Sequence, residues 1–176
     1  MSLISGPANN DARFKAGGKT NTTYNQLILM LLQTKIFHFE MAHAINGYPG
    51  ACKNIHGHSY QLYVTVSAVD TGNEYLPAPG FALDFKLLKK WVQSTVIETF
   101  DHKLVLSREF LAGNPAFQLQ ENLVTWDVEP TAENMLIYIQ RSLHKNLPPE
   151  VRLVELKLYE TADSYASWIN TGSTNG

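Results

Sequence analysis

Cysteine occurs once in the 176 residues, at Cys52, so an internal disulfide is excluded and a reducing, cytoplasmic setting is expected. Long apolar runs are missing as well. The longest, Leu27 to Leu32, is far too short to span a bilayer, and the opening residues lack the charged, apolar and small-residue succession of a signal peptide. Neither sign of charge dominates. With 14 Lys and Arg against 16 Asp and Glu, a net charge of −2 and no basic run, the chain does not read as a nucleic-acid binder. No internal repeat is evident. What is present is 44% hydrophobic content, enough at this length for one domain with a real core. Residues 1–30, of which 1–25 are rich in Gly, Asn, Thr and Ala, read as a flexible tail or extension, 31–172 as a single domain and 173–176 as a C-terminal tail.

The richest stretch is Phe37 to Ala68. By parity, Phe37, Phe39, Met41 and His43 share one face of a first strand, and His56, His58, Tyr60, Leu62, Val64 and Val66 share one face of a second. If the strands pair as an antiparallel hairpin, His43 approaches His56 and His58, with Gly57 leaving room between the last two. Three convergent neutral imidazoles suit zinc, and three protein ligands leave a fourth position open, as in catalytic sites. Taken singly, each histidine also fits an ordinary core or surface position. Cys52 has three readings that spacing does not separate: a fourth ligand, an inert buried thiol, or a nucleophile or base beside the metal.

Downstream, Val69–Gly80 carries Asp, Asn, Gly and Pro and reads as a loop. Asp84 reads as the N-cap of a helix ending near Phe100, with Leu88, Trp91, Val92, Thr95, Val96 and Thr99 as its stripe. Asp101 and His102 follow at once. The pair fits a plain helix end, or a carboxylate that fixes an imidazole for proton transfer. Ser107–Glu129 reads as a long linker. Thr131 reads as the N-cap of a second helix with Leu136, Ile139 and Leu143 inward, stopped by Pro148 and Pro149. A strand from Val151 to about Thr161 puts Val154, Leu156 and Leu158 on one face, with Glu160 continuing that parity as a ligand anchor or a solvated strand end. Tyr165–Ile169 is a short partner strand. The order β-β-α-α-β-β implies an α+β two-layer sandwich, an antiparallel sheet with two helices on one face, whose exposed edges favour a ring-like homo-oligomer.

Several motifs agree in order: His43 in Phe-x-x-x-His, Cys52-x-x-x-His56-Gly57-His58-Ser59-Tyr60, Leu83-Asp84-Phe85, Asp101-His102, Pro130-Thr131-Ala132-Glu133-Asn134 and Glu160-Thr161. Together, over about residues 35–170, they resemble the 6-pyruvoyltetrahydropterin synthase / 6-carboxytetrahydropterin synthase family. The resemblance implies the tunnelling fold (T-fold), assembled into rings, usually hexamers, with the active site between subunits. It implies Zn2+ on His43, His56 and His58, Cys52 as catalytic thiol, and Asp101 and His102 as its proton-transfer partners. Glu160 would anchor the pterin ring, helped by backbone around Thr131, with Glu133 secondary. The implied substrate is 7,8-dihydroneopterin triphosphate. The three-residue gap between Cys52 and His56 resembles the bacterial 6-carboxytetrahydropterin branch of the 7-deazaguanine (queuosine) pathway, whose reaction releases acetaldehyde and triphosphate; the pyruvoyl enzymes tend to a longer gap. A three-histidine zinc hydrolase, indifferent to Cys52, and a non-catalytic pterin-binding module are the alternatives.

Overall fold

A computed structural model describes residues 31–68 and 75–172. The expected tails at 1–30 and 173–176, most of the Leu27–Leu32 run and the first part of the Val69–Gly80 loop lie outside those residues.

The alternating stripes become the central hairpin. β1 (Gln33–His43) and β2 (His56–Ala68) pair antiparallel from Gln33↔Val66 to His43↔His56. The inward residues Phe37, Phe39, Met41, Tyr60, Leu62, Val64 and Val66 are all buried. They meet Leu88, Val92 and Val96 from one helical segment and Met135, Leu136, Ile139 and Leu143 from another in one core. The first segment is α1 (Phe85–Val92), a wider π turn at Gln93–Ile97, and a last turn α2 (Glu98–Phe100). Asp84 caps it, its carboxylate accepting from Lys86 N at 2.8 Å. The second is α4 (Ala132–Asn146), whose N-cap Thr131 accepts from Asn134 N.

Between them the structure departs from the expected linker. Residues Lys103–Ser107 form β3, Arg108–Gly113 a short helix α3, Pro115–Leu119 a 3-10 turn and Leu123–Trp126 β4. β3 runs parallel to the end of β1 and β4 parallel to β3, so the sheet is mixed, in the order β4-β3-β1-β2-β5-β6. The α+β, tunnelling-fold layering holds, with two strands added at one edge. Leu104 and Leu106 face away from the main core. With Phe110, Leu111 and Ala44 they form a second, smaller core on the opposite side of the sheet, against which Ile55 and Phe117 pack.

β5 (Val151–Tyr159) pairs with β2, and β6 (Tyr165–Ile169) with β5. Simple parity fails within β5. Thr65 faces Glu155 and Val66 faces Leu153, so Val154 is the extra residue of a bulge. Val151 and Leu153 therefore join Leu156 and Leu158 in the core, and Val154 is only half-buried. No helix among the described residues is long and apolar enough to cross a membrane.

Candidate metal centre and active site

The hairpin register brings the histidines together. His43 ends β1 directly opposite His56, which begins β2, and His58 stands opposite Met41 on the same face. Ring centroids lie 4.5 Å apart for His43 and His56, 5.3 Å for His43 and His58, and 5.0 Å for His56 and His58. One donor nitrogen from each lies within 4.8 Å of the others. The role of Gly57 differs from expectation. A Cβ there would sit 3.2 Å from the Met41 carbonyl oxygen, so the space it leaves is against the β1 backbone and not between the imidazoles.

Backbone carbonyls orient two of the rings. His43 Nδ1–H donates to the Pro130 carbonyl at 2.7 Å, and His56 Nδ1–H donates to that of Asn54 at 2.8 Å. Both rings are thereby fixed as tautomers that present Nε2. His43 Nε2 is buried and has no hydrogen-bond partner, and a buried polar atom left unpaired is costly unless something meets it. Burial, reinforced by neighbouring His56 and His58 against the Pro130 bond and the Glu160 charge, holds His43 below its ordinary pKa, hence neutral. Three converging ring nitrogens, the buried one without a partner, fit a divalent metal of the nitrogen-preferring kind.

Pro130 owes its position to the start of α4. Thr131 caps that helix, and Glu129 ties it to the loop after β1 by accepting from Asn46 N at 2.7 Å. Glu133 stands exposed in the first turn of α4, where its charge suits the helix N-terminus. Glu160, just beyond β5, brings Oε1 to 4.0 Å from His43 Nε2 and accepts a hydrogen bond from the Tyr60 hydroxyl at 3.3 Å.

Cys52 lies exposed in a 3-10 turn, Ala51–Lys53, anchored by Ile45 N donating to Cys52 O at 2.9 Å. Its thiol is not one of the three converging donors. Asp101 and His102 form a dyad elsewhere. Asp101 Oδ1 accepts from Glu40 N at 3.0 Å and lies 3.0 Å from His102 Nδ1, while His102 N donates to Glu40 O at 2.6 Å. The Glu40 N–H above all, then His102, holds the Asp101 carboxyl below the usual carboxylate range. His102 takes a left-handed backbone, φ 58°, to make this turn. Glu40 points to the sheet face opposite Met41 and His43. His102 borders an open depression of about 360 Å³ together with His58, Ser59, Lys103 and Asn122. Among the described residues no hydrogen bond or ion pair joins Asp101 or His102 to the three histidines or to Cys52.

Tyr60, Glu40, Glu129 and the Pro130 and Asn54 carbonyls escaped the sequence reading. Only Tyr60 left a signal there: a hydroxyl on a stripe otherwise hydrocarbon must find a partner when buried.

Residues 33–170 match the family model described as 6-pyruvoyl tetrahydropterin synthase. The 6-carboxy-5,6,7,8-tetrahydropterin synthase of Rickettsia bellii is 28% identical over 147 residues, covering 77% of this chain and 98% of that protein. The 6-pyruvoyl tetrahydrobiopterin synthase of Pongo abelii is 35% identical over 115 residues, covering 64% and 66%. In three dimensions the chain is similar to the Caenorhabditis elegans 6-pyruvoyl tetrahydropterin synthase, with a TM-score of 0.57 at 23% identity, covering 82% and 98%. At that identity the likeness speaks to the fold.

Proposed function

Since the chain belongs to the 6-pyruvoyl tetrahydropterin synthase family, we propose that it is a cytoplasmic, zinc-dependent lyase, its residues 31–172 forming one synthase domain. With one water consumed, it converts 7,8-dihydroneopterin triphosphate to 6-carboxy-5,6,7,8-tetrahydropterin with release of acetaldehyde and triphosphate, a step toward 7-deazaguanines. The observation that carries this is the unpaired, buried His43 Nε2 converging with nitrogens of His56 and His58. Zinc held by these three would supply Lewis-acid polarisation of the substrate's side-chain hydroxyls. The remaining roles fall to the chain itself. Cys52, unligated, removes the proton from the side-chain carbon next to the ring. His102, oriented by Asp101, returns or relays one. The Glu160 carboxylate accepts hydrogen bonds from the guanidine-like edge of the pterin, with the Thr131 backbone beside it and Glu133 at the margin, so that the reacting carbons are held in place.

Among the described residues the dyad turns about the backbone edge of Glu40 and bonds none of the three histidines, which favours a site completed between subunits, Asp101 and His102 of one copy serving the cradle of another in a homohexamer. The 35% identity to a pyruvoyl enzyme favours a second product, 6-pyruvoyltetrahydropterin, formed from the same substrate by elimination of triphosphate. Incubation of the zinc-loaded protein with dihydroneopterin triphosphate, with products identified by mass spectrometry, separates the two. Acetaldehyde with the carboxy product is expected, and a pyruvoyl product alone reassigns the branch. An unconsumed substrate overturns the enzyme assignment.

A further inference from the structure

The stripe on β2 beyond the histidines reads Tyr60, Leu62, Val64, Val66, all fully buried, and Tyr60 alone carries a polar atom. Its ring is clamped. It stacks on Phe39 at 5.0 Å and 9°, and stands edge-on to His58 at 5.5 Å and to His43 at 6.3 Å. The hydroxyl therefore has a fixed direction, and in that direction it meets Glu160 Oε1 at 3.3 Å. The phenol O–H is the donor in this pair and the carboxylate the acceptor.

Glu160 has two places to go. Its Oε1 lies 4.0 Å from His43 Nε2, and no other carboxylate among the described residues comes so close to any of the three imidazoles. Yet it does not join the group of three converging donors. Carboxylate oxygen is an acceptable fourth ligand for zinc. A carboxylate bound there would close the open position and could no longer accept from a ligand.

We propose that Tyr60 is a positioning residue whose hydroxyl tethers Glu160 Oε1 beside the three-histidine cradle and out of it, keeping the carboxylate free for the amino-pyrimidine edge of a pterin. This rests on the reading of Glu160 as the ring anchor given above. The same tether sets the coordination number of the metal and the affinity for the ring, two properties that a purely structural tyrosine would not link.

The test is Tyr60→Phe, which preserves the ring and its stack on Phe39. The cobalt(II)-substituted protein is examined by visible absorption, and binding of a fluorescent oxidised pterin is titrated with zinc present and after chelation. The variant is expected to show a weaker, shifted cobalt band as the carboxylate joins the ion. Its pterin affinity should fall at least tenfold with zinc and only two- to threefold without it. The double variant Tyr60→Phe/Glu160→Gln should restore the wild-type cobalt band. An unchanged band, or equal loss of pterin affinity with and without zinc, overturns the tether. If Glu160→Gln alone binds pterin as tightly as wild type, the ring-anchor reading falls instead, and the cobalt band by itself decides whether Tyr60 restrains the carboxylate.

Discussion

Loading and chelating zinc should test the unpaired nitrogen of His43 directly. Without a metal, Nε2 of that ring is buried and unpaired, a state that costs about 1–3 kcal/mol for a neutral group. An ion bound to the folded chain alone stabilises it by RT ln(1 + [L]/Kd), about 2.7 kcal/mol at a free concentration one hundred times Kd. For a domain of this length that is a rise of roughly 5–10 °C in Tm. His58 is only half-buried, and among the described residues no backbone carbonyl holds its ring as Pro130 and Asn54 hold the other two. His58→Ala should accordingly leave the chelated protein within about 0.5 kcal/mol of wild type while abolishing the zinc increment. His43→Ala should abolish the increment and shift the baseline as well. It unpairs the Pro130 carbonyl, relieves the orphaned nitrogen by a similar amount, and loses the packing of a buried ring, a net cost of about 1–2 kcal/mol. Scanning calorimetry with matched chelated and zinc-loaded samples reads all six values. A full zinc increment in His58→Ala, or none in wild type, would refute the three-histidine cradle.

Other consequences are simpler. His43 is held below its ordinary pKa, chiefly by burial, so the unfolded chain takes up its proton first as pH falls. The stability of the chelated protein should then decline below about pH 6.5, by at most about 1.4 kcal/mol per unit from this group; urea titrations between pH 7.5 and 5.5 check the slope, and His43→Ala should flatten it. Cys52→Ser should lower turnover about 10²–10⁴-fold with zinc content by mass spectrometry unchanged; a variant that loses its zinc would make the thiol a ligand. Leu156→Ala, at a fully buried position of β5, should cost about 2–5 kcal/mol in urea denaturation, and a change below 1 kcal/mol would contradict the core assignment.

The central hairpin was legible because each strand buries one face only, and its period of two survives in the sequence from Phe37 to His43 and from His56 to Val66. The caps Asp84 and Thr131 were legible because a side-chain acceptor before an apolar periodicity is a local device. β3 was not. Val105 enters the main core while Leu104 and Leu106 enter the smaller one, so Lys103–Ser107 is apolar on both sides and shows no alternation. β4 is too short for a period to emerge, and the Val154 bulge reverses parity without any mark in the sequence. At the site, residue types gave the histidines, but the carbonyls of Pro130 and Asn54 that aim two of them belong to backbone, which no side-chain motif records.

The added strands bear on where a second subunit could reach. β3 covers β1 only at Met41–His43, and the Asp101–His102 turn occupies the N–H and C=O of Glu40. Among the described residues, Gln33–Phe39 keeps its outer edge without a strand partner, and β6 ends the sheet on the other side. Unpaired edges of this length invite strand addition. A neighbour's β6 laid along Gln33–Phe39 would stop where the Glu40 turn begins, and so would bring its β5–β6 turn, with its Glu160, toward the exposed His102 of the first copy. In such an assembly Asp101 and His102 would serve the cradle belonging to that Glu160, one subunit completing the site of the next. On this geometry, breaking the edge with Ile36→Pro should cost assembly and turnover together while each chain keeps its zinc, measured by light scattering and metal analysis; monomers that still turn over substrate would place the whole reaction within one chain.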